Sequence, residues 1–141
     1  MNTNKIKHIA VFTSGGDSPG MNAALFAIAK TAEVNSIKLS GIRKGYEGLI
    51  DTRELQKMAH RGGTLLKTAR SKRFLTLEGR QQALENLKTN KIDALIAIGG
   101  DGTFKGLLAF SEICDLPFLG IPGTIDNDLA GTDFTLGFDS A

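Results

Sequence analysis

The sequence predicts an α/β protein built on a mostly parallel, doubly wound sheet, a three-layer architecture of the Rossmann-like type. Short apolar segments alternate with segments whose apolar residues recur every three or four positions. This alternation is typical of strands joined by helices, which form parallel sheets. Residues 92–98 are almost continuously apolar, as expected for a strand buried on both faces. Predicted strands also end in glycine-rich turns, where open α/β sheets bind ligands.

The first half of the chain begins with a strand, a glycine loop and a helix. Residues 7–12 are an apolar run, residues 13–20 hold the glycine loop, and helical spacing of apolar residues follows over 21–34. Residues 36–42 predict a second strand. The segment 52–60 is interpreted as a short helix.

The second half of the chain also alternates predicted strands with predicted helices. Thr76 is a suitable N-cap for a helix that extends to about residue 89. The strand at 92–98 leads into the turn 99–103, after which apolar residues again follow helical spacing. Two further strands are predicted at residues 116–121 and 133–138.

Composition limits the function classes. The chain has 141 residues and a mass of 15.0 kDa, which suits one domain with an ordinary core. Its formal net charge of +2 is too small to indicate a nucleic-acid surface. The single cysteine excludes an intrachain disulfide, and the apolar run near the start is too short for a signal peptide or a membrane span. We therefore expect a cytoplasmic protein that binds neither nucleic acid nor membrane.

A heptapeptide after the strand at 116–121 is the best indication of function. It reads Pro122-Gly123-Thr124-Ile125-Asp126-Asn127-Asp128. Asp126 follows a strand end and can accept a proton from an attacking hydroxyl, and Asp128 can orient it. Thr124 can donate a hydrogen bond to substrate or phosphate. The alternative is an ordinary solvated turn, because the same residue types favour turns.

The glycine turns suit phosphate binding, since each follows a strand and opens a helix. Neither turn has the P-loop sequence or the dinucleotide-binding one. Asp101 in the turn 99–103 would repel phosphate directly but can hold Mg²⁺ that bridges phosphate oxygens. The competing interpretation of Asp101 is a helix N-cap.

A basic cluster surrounds the second glycine pair. Arg61, Arg70, Lys72 and Arg73 would suit a polyphosphate, and Arg70 is the preferred clamp. For Lys72 and Arg73 a solvated face is an equally good explanation. His8 and His60 lack metal-ligand spacing and are interpreted as structural residues.

Four motifs in order resemble those of the bacterial ATP-dependent 6-phosphofructokinases. They are Thr13-Ser14-Gly15-Gly16-Asp17-Ser18-Pro19-Gly20-Met21-Asn22-Ala23, Arg61-Gly62-Gly63-Thr64, Gly99-Gly100-Asp101-Gly102-Thr103 and the heptapeptide 122–128. The resemblance covers nearly the whole chain. It implies transfer of a phosphoryl group from MgATP to the 1-hydroxyl of fructose 6-phosphate, giving fructose 1,6-bisphosphate in glycolysis.

The resemblance also implies roles for individual residues. By position, Asp126 matches the catalytic base and Arg70 matches the residue that bridges the transferring phosphate. Asp101 matches the Mg²⁺ residue, while Thr124 and Asp128 join Asp126 in contacting the substrate. The ATP contacts fall at Gly15, Tyr46, Arg70, Ser71, Gly100, Asp101, Gly102 and Thr103. Family members often have an aromatic residue where Ser71 stands.

Two glycines bear on the phosphoryl donor. Pyrophosphate-using relatives typically carry Asp at the position of Gly102 and Lys at the position of Gly123. Both positions are Gly in this chain, which favours ATP.

The resemblance further implies that residues 1–141 are the ATP-binding domain of a longer, two-domain enzyme that forms a homotetramer. The family's sugar-phosphate contacts lie beyond this segment, so we expect the isolated chain to be inactive. Two other interpretations stay open: a kinase of the NAD or diacylglycerol type, which shares the turn 99–103, and a non-catalytic nucleotide-binding module.

Overall fold

A computed structural model of the chain describes residues 6–14, 21–51, 55–57 and 71–123. Five strands form one sheet: β1 (His8–Thr13), β2 (Lys38–Ile42), β3 (Leu55–Lys57), β4 (Ala94–Gly99) and β5 (Phe118–Pro122). The helices are α1 (Met21–Val34), α2 (Gly45–Ile50), α3 (Leu77–Thr89) and α4 (Asp101–Ser111), with a 3₁₀ turn at Arg73–Leu75. The predicted strand at 133–138 lies outside the described residues.

The strand order is β3-β2-β1-β4-β5. Strand β1 is parallel to both β2 and β4, and β4 is parallel to β5. The direction of winding therefore reverses at β1, which makes the crevice beyond the carboxyl ends of β1 and β4 the expected ligand position. The predicted doubly wound, mostly parallel sheet is confirmed.

Helices cover both faces of the sheet, so the three-layer prediction is also confirmed. On one face, α1 packs Leu25 and Ala29 against Val11 and Ile98. On the other face, α2, α3 and α4 build a larger core around Phe12, Leu95 and Phe110. Strand β4 is buried along its whole length, as its continuous apolar sequence predicts.

Local boundaries follow the sequence signals in most places. Helix α1 has the predicted bounds. Helix α3 begins after Thr76, whose side chain accepts a hydrogen bond from Gly79 N at 3.0 Å, so the predicted N-cap is confirmed.

One prediction is wrong. The segment 52–60 was expected to be helical, but residues 55–57 form β3, which pairs antiparallel with β2. Few apolar residues define a period over so short a stretch, and pairing with the exposed edge of β2 decides its conformation. The helix lies earlier, at α2, where Lys44 and Gly45 adopt left-handed backbone angles that turn the chain out of β2.

Candidate functional site at the carboxyl edge of the sheet

Three strands deliver their following loops to the same edge of the sheet. Thr13 pairs with Ile98 across β1 and β4, and Gly99 pairs with Pro122 across β4 and β5. Backbone hydrogen bonds continue this register beyond the strands, from Ser14 N to Ile98 O at 2.9 Å and from Gly123 N to Gly99 O at 2.8 Å. The first glycine loop, the turn 99–103 and the heptapeptide therefore begin side by side, although they are far apart in sequence.

Gly99, at the end of β4, is closely surrounded by its own turn and by the end of β1. A Cβ atom on Gly99 would lie 2.2 Å from Thr103 Oγ1 and 2.6 Å from Ser14 O. No side chain fits in that space, so glycine is required at this position. Thr103 is buried, and its hydroxyl has no hydrogen-bond partner among the described residues. Because this hydroxyl is buried, it lies beneath the turn rather than on its exposed surface.

Helix α4 begins at this edge without a side-chain cap. Gly100 is its N-cap residue and contributes no side-chain hydrogen bond. The first amide groups of α4 and the positive end of its dipole therefore suit an anion. A Cβ on Gly102 would meet no atom of the described residues within 4 Å, so they leave the space beside the first turn open.

Asp101 is the first residue of α4, so the interpretation of Asp101 as the N-cap is wrong. Its carboxylate is exposed and pairs with Lys105 Nζ at 2.9 Å, one helical turn later. This hydrogen bond raises the pKa of Lys105. Because the pair is exposed, the carboxylate can exchange Lys105 for another cation.

Tyr46 lies beneath the turn rather than on its surface. Its ring is buried, with its centroid 4.9 Å from that of Phe12 and 4.1 Å from that of Phe74. The phenol donates a hydrogen bond to the main-chain carbonyl of Thr103. Burial raises the pKa of Tyr46 well above its ordinary value, which keeps the phenol protonated as a donor.

Ser71 is already engaged within the protein. Its hydroxyl donates to Glu47 Oε2 at 2.6 Å and accepts from Phe74 N at 3.2 Å. The sequence reasoning missed Glu47, because its partners are 24 and 26 positions away and no local spacing reveals them. It also missed Lys105, although its spacing of four from Asp101 is a readable helical pair.

The structure thus places Tyr46 against the turn that contains Gly100, Asp101, Gly102 and Thr103, whereas Ser71 contacts Glu47 and Phe74. The other predicted site residues lie outside the described residues: Gly15, Arg70, Thr124, Asp126 and Asp128. His8, at the opposite end of β1, is buried and forms a hydrogen bond with the Ser40 hydroxyl. In the described part of the chain, no cluster of three or more His, Cys, Asp or Glu residues could hold a metal ion by itself. Among those same residues, no helix is long and apolar enough to cross a membrane.

Comparisons with known proteins agree with this geometry. The family model for phosphofructokinase matches residues 8–141. The chain is 51% identical over 143 residues to ATP-dependent 6-phosphofructokinase 1 of Thermus thermophilus, covering 96% of this chain and 44% of that protein. It is 48% identical to ATP-dependent 6-phosphofructokinase 2 of Bacteroides thetaiotaomicron over the same shares. The chain therefore spans less than half the length of these relatives.

Solved structures show the same fold. Phosphofructokinase from Saccharomyces cerevisiae superposes with a TM-score of 0.87 at 40% identity, covering 95% of this chain and 22% of that one. A pyrophosphate-dependent phosphofructokinase from Marinobacter aquaeolei gives a TM-score of 0.77 at 25% identity, covering 94% and 37%. Motifs, fold and similarity to known proteins agree, and this chain belongs to the phosphofructokinase family.

Proposed function

We propose that this chain supplies the nucleotide site and the catalytic base of an ATP-dependent 6-phosphofructokinase. The observation that carries the proposal is the meeting of three loops at one sheet edge, beginning at Ser14, Gly99 and Gly123. Phosphoryl transfer depends mainly on positioning and on electrostatic stabilisation, which such an edge can provide. The uncapped first turn of α4 suits the phosphates of ATP.

The arrangement fits a magnesium ion. Mg²⁺ keeps several waters and is commonly held by one or two carboxylates together with substrate phosphates. Asp101 offers one exposed carboxylate beside the first turn of α4, so it would hold the ion. When bound, Mg²⁺ would neutralise negative charge on the phosphate oxygens.

The proposed chemistry assigns the remaining roles by motif position. Asp126 accepts the proton of the sugar 1-hydroxyl, whose oxygen attacks the γ-phosphorus of ATP and releases ADP. Asp128 orients Asp126, while Thr124 contacts the substrate. Arg70 balances charge on the transferring group, and Gly15 contacts the nucleotide.

The open space at Gly102 supports ATP as the donor. Among the described residues, no atom lies within 4 Å of a Cβ at this position, which leaves room on that side of the turn. An aspartate here would place a second carboxylate in that room. The relatives from Thermus and Bacteroides are named as ATP-dependent enzymes, whereas the more distant Marinobacter enzyme is named as pyrophosphate-dependent.

A hybrid enzyme tests the proposal. The 141 residues would replace the matching segment of the Thermus thermophilus relative, and fructose 1,6-bisphosphate formation would be followed in a coupled assay with ATP and Mg²⁺. We expect turnover by the hybrid, a loss of about 10²-fold or more on Asp126→Asn, and no turnover by the isolated chain. Turnover with pyrophosphate but not ATP would exclude the proposed donor. Full activity of the Asp126→Asn hybrid would remove this residue from the mechanism.

A further inference from the structure

Glu47 binds a segment that is distant in sequence. Its Oε2 accepts a hydrogen bond from Ser71 Oγ at 2.6 Å, and its Oε1 accepts from Arg73 Nε at 2.8 Å and from Arg73 Nη2. The Ser71 bond, followed by those from Arg73, lowers the pKa of Glu47, so the carboxylate stays ionised at neutral pH. One carboxylate of α2 therefore holds two residues at the start of the segment before α3.

That segment, residues 71–75, is a compact turn. Ser71 Oγ accepts from Phe74 N at 3.2 Å, and Leu75 N donates to Lys72 O at 3.2 Å. From the side of α3, Arg80 Nη1 donates to Phe74 O at 3.0 Å. The turn 71–75 is thus held from two directions, by Glu47 of α2 and by Arg80 of α3.

The turn 71–75 packs the ring of Phe74 against Tyr46, which lies beneath the proposed nucleotide site. Phe74 is 3% exposed and stacks on Tyr46 at a centroid distance of 4.1 Å and an interplanar angle of 22°. Tyr46 in turn donates its hydroxyl to the carbonyl of Thr103, in the first turn of α4. A continuous series of contacts therefore runs from the carboxylate of Glu47 to the backbone of the proposed phosphate site.

We propose that Glu47 is a positioning residue for the nucleotide site. It holds the turn 71–75, which keeps Phe74 against Tyr46 and the Tyr46 hydroxyl beneath Thr103. This role rests on the proposed function, and Glu47 acts in it through Ser71 and Arg73. Packed side chains and hydrogen bonds such as these can couple Glu47 to the nucleotide site, because each side chain in the series has a defined arrangement.

The exposure of the ion pair separates this role from a role in stability. The side chains of Arg73 and Glu47 are 58% and 29% exposed, and ion pairs at such positions add little to the free energy of unfolding. Removing Glu47 should therefore weaken nucleotide binding more than it weakens folding. A residue that acts only on stability would show the opposite balance.

The first test compares single variants of the 141-residue chain. MgATP titration by calorimetry should give an affinity about five-fold weaker for Glu47→Ala, an intermediate value for Glu47→Gln, and the wild-type value for Glu85→Ala. Glu85 is a matched control because it is an exposed glutamate on α3. Amide hydrogen exchange of Phe74 and Phe104 should be faster in Glu47→Ala, while the thermal midpoint by circular dichroism stays at the control value.

The second test is a double-mutant cycle with Tyr46→Phe, which removes only the hydroxyl. If both residues act along one series of contacts, the double variant should lose less affinity than the sum of the single losses. Additive losses would overturn the proposed series of contacts.

The outcomes distinguish the two proposals. Wild-type MgATP affinity in Glu47→Ala, or unchanged exchange at Phe74 and Phe104, would overturn the positioning role and leave the proposed function standing. A wild-type chain that folds but binds no MgATP would overturn the proposed function, and the positioning role with it.

Discussion

His8 is a buried imidazole at the end of the sheet opposite the glycine turns. Its Nε2 lies 2.7 Å from Ser40 Oγ, and its backbone N–H donates to Asp93 Oδ2 at 2.9 Å. Burial, followed by the positive charge of Lys38, lowers the pKa of His8, although a backbone hydrogen bond at Asn90 and the charge of Asp93 oppose this shift. The folded protein therefore resists protonation of His8 more than the unfolded chain does.

This difference predicts an acid sensitivity. The pKa of His8 is lower in the folded protein than its value of about 6.5 in the unfolded chain, so the unfolded chain binds more protons as the pH falls toward and below 6.5. The free energy of unfolding therefore decreases as the pH drops from 7.5 to 5.5. His8→Gln, whose amide can replace Nε2, should cost about 1 kcal/mol at pH 7.5 and show a smaller loss between the two pH values. Urea unfolding at both pH values measures this. An identical pH dependence in the variant and the wild type would contradict the role of His8.

Single residues show where sequence reasoning succeeds. The structural role predicted for His8 is confirmed, since its bond to Ser40 is internal to the sheet. The position of Asp101 was predicted, but its place inside the first turn rather than at the N-cap depends on where α4 begins. Glu47 could not be found, because its partners come from another element.

At the scale of elements, α4 approaches α2 through a glycine. A Cβ on Gly106 would lie 2.7 Å from the Tyr46 ring and hydroxyl. That ring cannot move aside easily, because Phe12 and Phe74 enclose it. The close contact between the helix and the ring therefore depends on the absence of a side chain at position 106.

Two glycines of α4 make a matched comparison. Gly106→Ala should destabilise the protein by about 1–3 kcal/mol, because the added methyl group overpacks the Tyr46 contact. Gly102→Ala should not destabilise it, since no atom of the described residues lies within 4 Å of a Cβ at position 102 and alanine favours helices. Thermal unfolding followed by circular dichroism measures both. Equal stability of the two variants would show that Tyr46 can yield without cost.

The type of an element was predictable where a long segment kept the helical spacing of apolar residues or where the apolar run was continuous. Helix α1 and strand β4 are examples, and both were placed within two residues of their bounds. The short segments were not predictable: α2 and β3 contain six and three residues, too few to establish a period. Pairing and packing against β2 decide their conformations.

For the whole molecule, the sheet topology explains why the motifs meet. Sequence alone predicted parallel strands with their loops at one edge, and the register of β1, β4 and β5 confirms this arrangement for the described residues. The side-chain geometry at residues 70 and 126 lies outside them. Their roles stay predictions that depend on motif position.

Strand β5 leaves an apolar side chain exposed at the edge of the described sheet. On the face covered by α1, Leu119 of β5 is 56% exposed, and β5 is the terminal strand of the described sheet. An apolar side chain on a terminal strand favours pairing between molecules. The isolated chain should therefore associate as its concentration rises, and Leu119→Lys should weaken this association.

The expected weakening is about tenfold, which corresponds to the roughly 1.5 kcal/mol that burial of one leucine side chain contributes. Sedimentation velocity over a range of concentrations measures the association. Leu108→Lys is the control, because Leu108 is 72% exposed but lies on α4, in the opposite layer. If both variants associate as strongly as the wild type, β5 is not the contact surface. If Leu108→Lys alone weakens association, the surface of α4 makes the contact, because an exposed leucine matters only where it becomes buried.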